Sequence, residues 1–61
     1  MKVVVIVRTL NEENNIARFI TAYQNIADEI IVADGGSDDS TRDVARTFHN
    51  AHVYSFRVGL I

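Results

Sequence analysis

The segment Asp34-Gly35-Gly36-Ser37-Asp38-Asp39-Ser40-Thr41 sets an acid, two glycines and then hydroxyls and acids in unbroken succession. It follows the apolar run Ile30-Ile31-Val32-Ala33. An acid at a strand end, glycines, and then hydroxyls at a helix start describe a ligand-binding turn. Glycine lets backbone approach a ligand closely and permits positive φ. The acid presents a carboxylate at the carboxyl edge of a sheet, where open α/β sheets bind ligands. The competing reading is local: Asp34 caps its own turn by accepting backbone N–H bonds, and Asp38 and Asp39 face solvent or cap a helix. A calcium loop is excluded, because its twelfth position holds Ala45 where a glutamate is required. The chain also lacks a Gly-x4-Gly-Lys phosphate loop and a Gly-x-Gly-x-x-Gly after its first strand.

Three strands and two helices would position this turn. Lys2–Arg8 is a β-branched run, apolar on both faces through Val3, Val4, Val5, Ile6 and Val7, as in a parallel sheet covered on both sides. Thr9-Leu10-Asn11-Glu12 carries helix-start chemistry. Thr9 with Glu12 fits a capping box, and Asn11 is a rival N-cap. Ile16, Phe19, Ile20 and Tyr23 then fall on one helical face, which Ile26 extends. Glu29–Ala33 is the second strand. Asp39, Ser40 or Thr41 caps a second helix that buries Val44, Ala45 and Phe48, and Asn50 is a left-handed C-cap. His52–Val58 reads as the third strand. Tyr23, Phe48, Tyr54 and Phe56 read as core or partner-facing packing.

The fold class is therefore α/β, with a β-α-β-α-β order and a three-stranded parallel sheet. Right-handed crossovers with strand order 3-2-1 put both helices on one face and leave the other bare, in conflict with the all-apolar first strand. The first strand also keeps an open edge. The expectation is half of a doubly wound domain, which needs more chain or a partner to cover its sheet.

Composition narrows the function classes. At 61 residues the chain is at most one small domain, of a size that buries only about 60% of its unfolded surface. It contains no Cys, which excludes disulfides and thiolate metal sites. His49 and His52 read as helix-end and strand residues rather than a metal pair. A net charge of −2 with interspersed signs offers no footprint for nucleic acid or an anionic membrane. The run Val3–Val7 is too short to cross a bilayer, which takes about 20 residues, and a cytoplasmic location is the expectation.

Val3–Glu13 and Ile30–Thr41 together resemble the N-terminal part of glycosyltransferase family 2. That family opens with a hydrophobic strand and a Thr-x-Asn-Glu turn, here Thr9-Leu10-Asn11-Glu12. About twenty residues later comes a strand ending in Asp-Asp-Gly-Ser or Asp-Gly-Gly-Ser, here Asp34-Gly35-Gly36-Ser37. The resemblance implies a Rossmann-like half of a nucleotide-diphospho-sugar transferase fold of the GT-A type. It implies inverting sugar transfer from a nucleotide diphosphate to an acceptor hydroxyl.

The resemblance also implies a binding set of Thr9, Leu10, Asn11, Glu12, Asp34, Gly35, Gly36 and Ser37. Thr9 and the backbone at Leu10 would contact the nucleotide base, and Glu12 would lie near its pocket. Asp34 would hydrogen-bond the base, usually uracil, above a floor of Gly35, Gly36 and Ser37. The implied partner is a UDP-sugar. Ser40 stands where the family commonly has Gly, and Asp38 where it has Thr. The family's Asp-x-Asp metal segment and its catalytic base fall beyond this length. No catalytic or metal-ligating residue is therefore assigned, and Mg or Mn is expected only in a full-length relative. Residues 1–61 are expected to be one truncated segment, inactive alone. The alternative is a non-catalytic nucleotide-binding module, or a structural fragment that dimerises through the bare face or the first-strand edge.

Overall fold

The computed structural model describes residues 1–56. The chain forms β1 (Val4–Thr9), α1 (Ile16–Tyr23), β2 (Glu29–Asp34), α2 (Thr41–Ala45) and β3 (Ala51–Ser55). The strands form one sheet in the order β1-β2-β3, parallel throughout. This is the expected β-α-β-α-β arrangement, Rossmann-like in topology. Its register sets Thr9 beside Asp34 and Asp34 beside Ser55. The carboxyl ends of all three strands therefore finish at one rim. The expected extension of the third strand to Arg57 and Val58 lies outside the described residues.

Handedness leaves its mark on burial. Both helices cover one face, where Ile16, Ile20, Ala27, Ile30, Val32 and Ala45 form the buried core. Val5 and Val7 of β1, Val53 of β3, and Phe19, Val44 and Phe48 pack against it half-buried. The other face carries Val4 and Ile6 from β1 and Tyr54 from β3, with Ile6 69% and Tyr54 60% exposed. Among the described residues the first strand thus has two apolar faces and a cover for only one of them.

Several local expectations are corrected by tertiary partners. α1 begins at Ile16, with Asn15 in the N-cap position and no side-chain cap, so Thr9 and Glu12 form no capping box. Thr9 belongs to the strand, and Glu12 instead lends its carbonyl to the N–H groups of Asn15 and Ile16. α1 closes at Tyr23, so Ile26 lies beyond the helix and is 65% exposed. Phe48 likewise falls past the end of the short α2. Asn50 is not left-handed; among the described non-glycine residues only Asn11 has positive φ, at 53°. Asn50 is buried, and its Nδ2 donates to the carbonyls of Gln24 and Ala27 at 3.2 Å each. It ties the α1–β2 connection to the start of β3.

Candidate functional site

Asp34 ends β2 with no exposed surface. Its Oδ1 accepts from Thr9 Oγ1 at 2.7 Å and from Ser37 Oγ at 2.5 Å. Its Oδ2 accepts from the backbone N–H groups of Ser37 at 2.8 Å and Gly36 at 3.1 Å. Burial on its own pushes the Asp34 pKa up. The Ser37 hydroxyl and N–H, the Thr9 hydroxyl and the Gly36 N–H outweigh that and hold it at about 2. A carboxylate that accepts several hydrogen bonds stays ionised well below its ordinary range. The Arg42 Nε stands 3.8 Å from Oδ2 and adds a positive charge to the same pocket.

The turn after Asp34 requires glycine at one position for its backbone. Gly36 has φ of +101°, a conformation that side chains oppose. Gly35 is needed less strictly, since a Cβ there would stand 3.6 Å from the Thr9 carbonyl and 3.8 Å from Phe56 Cζ, ordinary contact distances.

The β1–α1 loop is stitched to this turn along its length. The Asn11 N–H donates to Ser37 Oγ at 2.9 Å, and the Asp38 N–H donates to Asn11 Oδ1 at 2.8 Å. The Glu12 N–H donates to Thr41 Oγ1 at 2.8 Å. Further out, Glu13 N–H reaches Asp39 Oδ2 and Ser40 N–H reaches Glu13 Oε2, each at 3.3 Å. Thr41 is fully buried and donates its hydroxyl to Asp39 Oδ1, whose carboxyl is lowered from its ordinary pKa chiefly by that bond.

All eight expected binding residues thus converge on one rim, but with different exposures. Thr9, Asp34 and Ser37 are buried and bonded to one another, whereas Leu10, Asn11, Glu12 and Gly36 are exposed and Gly35 is half-buried. Two shallow clefts open beside the turn. One, about 320 Å³, is lined by Arg8, Thr9, Leu10, Glu12, Gly35 and Phe56. The other, about 360 Å³, is lined by Gly36, Ser37, Asp38, Arg42, Ser55 and Phe56.

Three residues of this rim escaped the sequence reading. Thr41 looked like one of several helix caps. Phe56 looked like packing. Arg42 carried no motif at all, yet its Nη2 donates to the Ser37 carbonyl at 3.0 Å and its Nη1 to Ser55 Oγ at 3.4 Å. A cation one residue after a run of acids and hydroxyls was the available signal. Among the described residues no cluster of three or more His, Cys, Asp or Glu side chains could hold a metal ion. The carboxylates of Asp34 and Asp39 already accept hydrogen bonds from their own turn and from the facing loop.

Comparison with known proteins decides the family. The profile of glycosyl transferase family 2 matches residues 4–61. The chain belongs to that family. It is similar to an uncharacterized glycosyltransferase of Rickettsia typhi (strain ATCC VR-144 / Wilmington), at 46% identity over 46 residues. A second uncharacterized glycosyltransferase, from Rickettsia prowazekii (strain Madrid E), is 44% identical over 46 residues. Each match covers 75% of this chain and 16% of the relative. The chain therefore spans about a sixth of the length of these family members. No solved structure matches it. No helix among the described residues is long and apolar enough to cross a membrane.

Proposed function

We propose that this chain is the nucleotide-sugar-binding segment of an inverting glycosyltransferase. The whole enzyme would transfer a sugar from a nucleotide diphosphate to an acceptor hydroxyl. The observation that carries the reading is the Thr9–Asp34 pair, which locks the carboxyl ends of two adjacent parallel strands in a chain of this family. In open α/β sheets ligands settle against that edge. Thr9, Asp34 and Ser37 hold the rim in shape, and Leu10, Asn11, Glu12, Gly35 and Gly36 face the ligand. Inversion would use in-line attack by an acceptor hydroxyl with a carboxylate as general base. In a full-length relative a divalent metal on the diphosphate would complete that step. Titrating a UDP-sugar into the isotope-labelled chain tests the reading. Amide shifts confined to residues 9–12 and 34–37 are expected, and their absence at millimolar ligand would defeat it.

A second reading follows from the bare face. Val4 and Ile6 of β1 and Tyr54 of β3 are exposed on one side of the sheet, and among the described residues β1 is an edge strand. Exposed apolar patches and unpaired strand edges both invite association. On this reading the chain is a non-catalytic fragment that pairs with a second copy. Sedimentation that finds only monomer at high concentration would reject it.

A further inference from the structure

We infer that two copies of this chain join through the outer edge of β1, antiparallel and centred on Ile6, so that their sheets run on as one. The inference rests on the self-association reading above and deepens it, because that reading does not say whether the bare face or the strand edge makes the contact.

The backbone fixes which residues are free to pair. The Val3 carbonyl accepts from the Asp28 and Glu29 N–H groups, and the Thr9 carbonyl from the Gly35 N–H. These odd-numbered residues turn their backbone groups toward β2. Alternate residues of a strand turn theirs to opposite sides. Val4, Ile6 and Arg8 therefore present N–H and C=O outward, where β1 has no neighbour among the described residues. In an antiparallel pair these outward residues must meet one another. Centring on Ile6 sets Val4 against Arg8 of the other copy and Ile6 against its own counterpart, which uses the whole strand. Centring on Val5 would set Arg8 against Lys2, and like charges directly opposite are destabilising. Centring on Val7 would push Val4 against Leu10, beyond the strand's end.

The Ile6 register also matches charge and shape. It lays Arg8 of one copy alongside Val4 of the other, whose register partner on β2 is the acid Glu29. On the helix side it sets Val5 against Val7 and Val3 against Thr9. Val7 and Thr9 line a hollow of about 200 Å³ together with Ile16 and Phe19, and no residue of β2, α2 or β3 lines it. The hollow thus belongs to the outer side of β1, and Val3 and Val5 of the second copy supply the apolar groups that fill it. Strand addition draws affinity from main-chain hydrogen bonds and specificity from pockets for alternate side chains. Here one two-fold contact offers both, because the edge and the valines that complete it belong to the same segment.

The test uses the full chain. Sedimentation and amide hydrogen exchange are followed together as concentration is raised. The amides of Val4, Ile6 and Arg8 are expected to gain protection as the dimer forms. Ile6 is 69% exposed, so its replacement leaves the single chain folded. Ile6→Lys and Ile6→Glu each set like charges face to face across the two-fold axis, and each is expected to weaken the dimer about tenfold or more. An equal mixture of the two variants is expected to pair again, since each then meets its opposite. A dimer whose Val4, Ile6 and Arg8 amides stay unprotected would overturn the inference and leave the bare face as the contact. A mixture of the two folded variants that associates no better than either alone would overturn it as well. If the chain stays monomeric throughout, both readings fall together.

Discussion

The Thr9 hydroxyl donates to Asp34 Oδ1 across 2.7 Å, between two residues that are also direct register partners on neighbouring parallel strands. Backbone pairing and side-chain pairing therefore coincide at the end of the sheet. The Gly35 N–H then donates to the Thr9 carbonyl at 2.9 Å and carries the ladder one residue further. Thr9→Val keeps the shape and deletes the donor. It should cost about 1–3 kcal/mol, the range for leaving a buried acceptor short of a partner. Thr9→Ser, which restores the hydroxyl, should recover most of it. Urea unfolding of the three chains measures both effects.

Asp34 makes stability depend on pH in an acid window. Its pKa falls from 3.8 to about 2 on folding, so the unfolded chain binds the proton more readily. The resulting stabilisation is complete above the unfolded value and is lost as pH drops through the folded one. Between about pH 4 and pH 2 the loss should be on the order of 2 kcal/mol from this group. Asp34→Asn should remove that part of the slope. It should also lower stability at neutral pH by about 2–3 kcal/mol, because an amide NH2 would face hydroxyl and N–H donors. Unfolding midpoints across the pH range for both chains check the sign and the size.

Asn11 holds positive φ and also accepts from the Asp38 N–H. Two substitutions separate these roles. Asn11→Gly loses the acceptor but is at ease in the left-handed region. Asn11→Ala loses the acceptor and meets the steric cost of about 1–2 kcal/mol as well. Alanine should therefore be the less stable of the two by about 1 kcal/mol, read from thermal or urea unfolding.

Asn50 distinguishes a bracing side chain from a helix cap. Its Nδ2 serves two carbonyls, and its backbone carbonyl accepts from the Ile30 N–H at 2.8 Å. A left-handed cap would tolerate or welcome glycine, whereas a brace would not. Asn50→Gly should destabilise by about 1–3 kcal/mol. Loss of amide protection at Ile30 in hydrogen exchange would locate the damage.

Strand order and direction were legible because they follow from β-branched runs, alternation with helices and the handedness of crossovers. The bare face was legible for the same reason. Helix boundaries were not. Thr9-x-x-Glu12 has the form of a capping box, but the Thr9 hydroxyl is taken by Asp34, which lies 25 positions away. Asn50 has the form of a left-handed cap, and its side chain is engaged by carbonyls 23 and 26 positions upstream. Asp34 itself was found, and both of its readings were open. Its hydrogen bonds match the local one, an acid that organises its own turn. Arg42 was signalled only by its place after the acids and hydroxyls, and the contacts of Arg42 with the Ser37 carbonyl and of Phe56 with Gly35 are tertiary.

The cross-links Asn11–Ser37, Glu12–Thr41 and Glu13–Asp39 span 26, 29 and 26 positions. Neither loop can keep its shape without the other, so a transplant of one alone into another scaffold should leave a slack surface. The first loop gives only backbone N–H groups to these three bonds and the second gives the side-chain oxygens, so the second loop carries the sequence requirement for both.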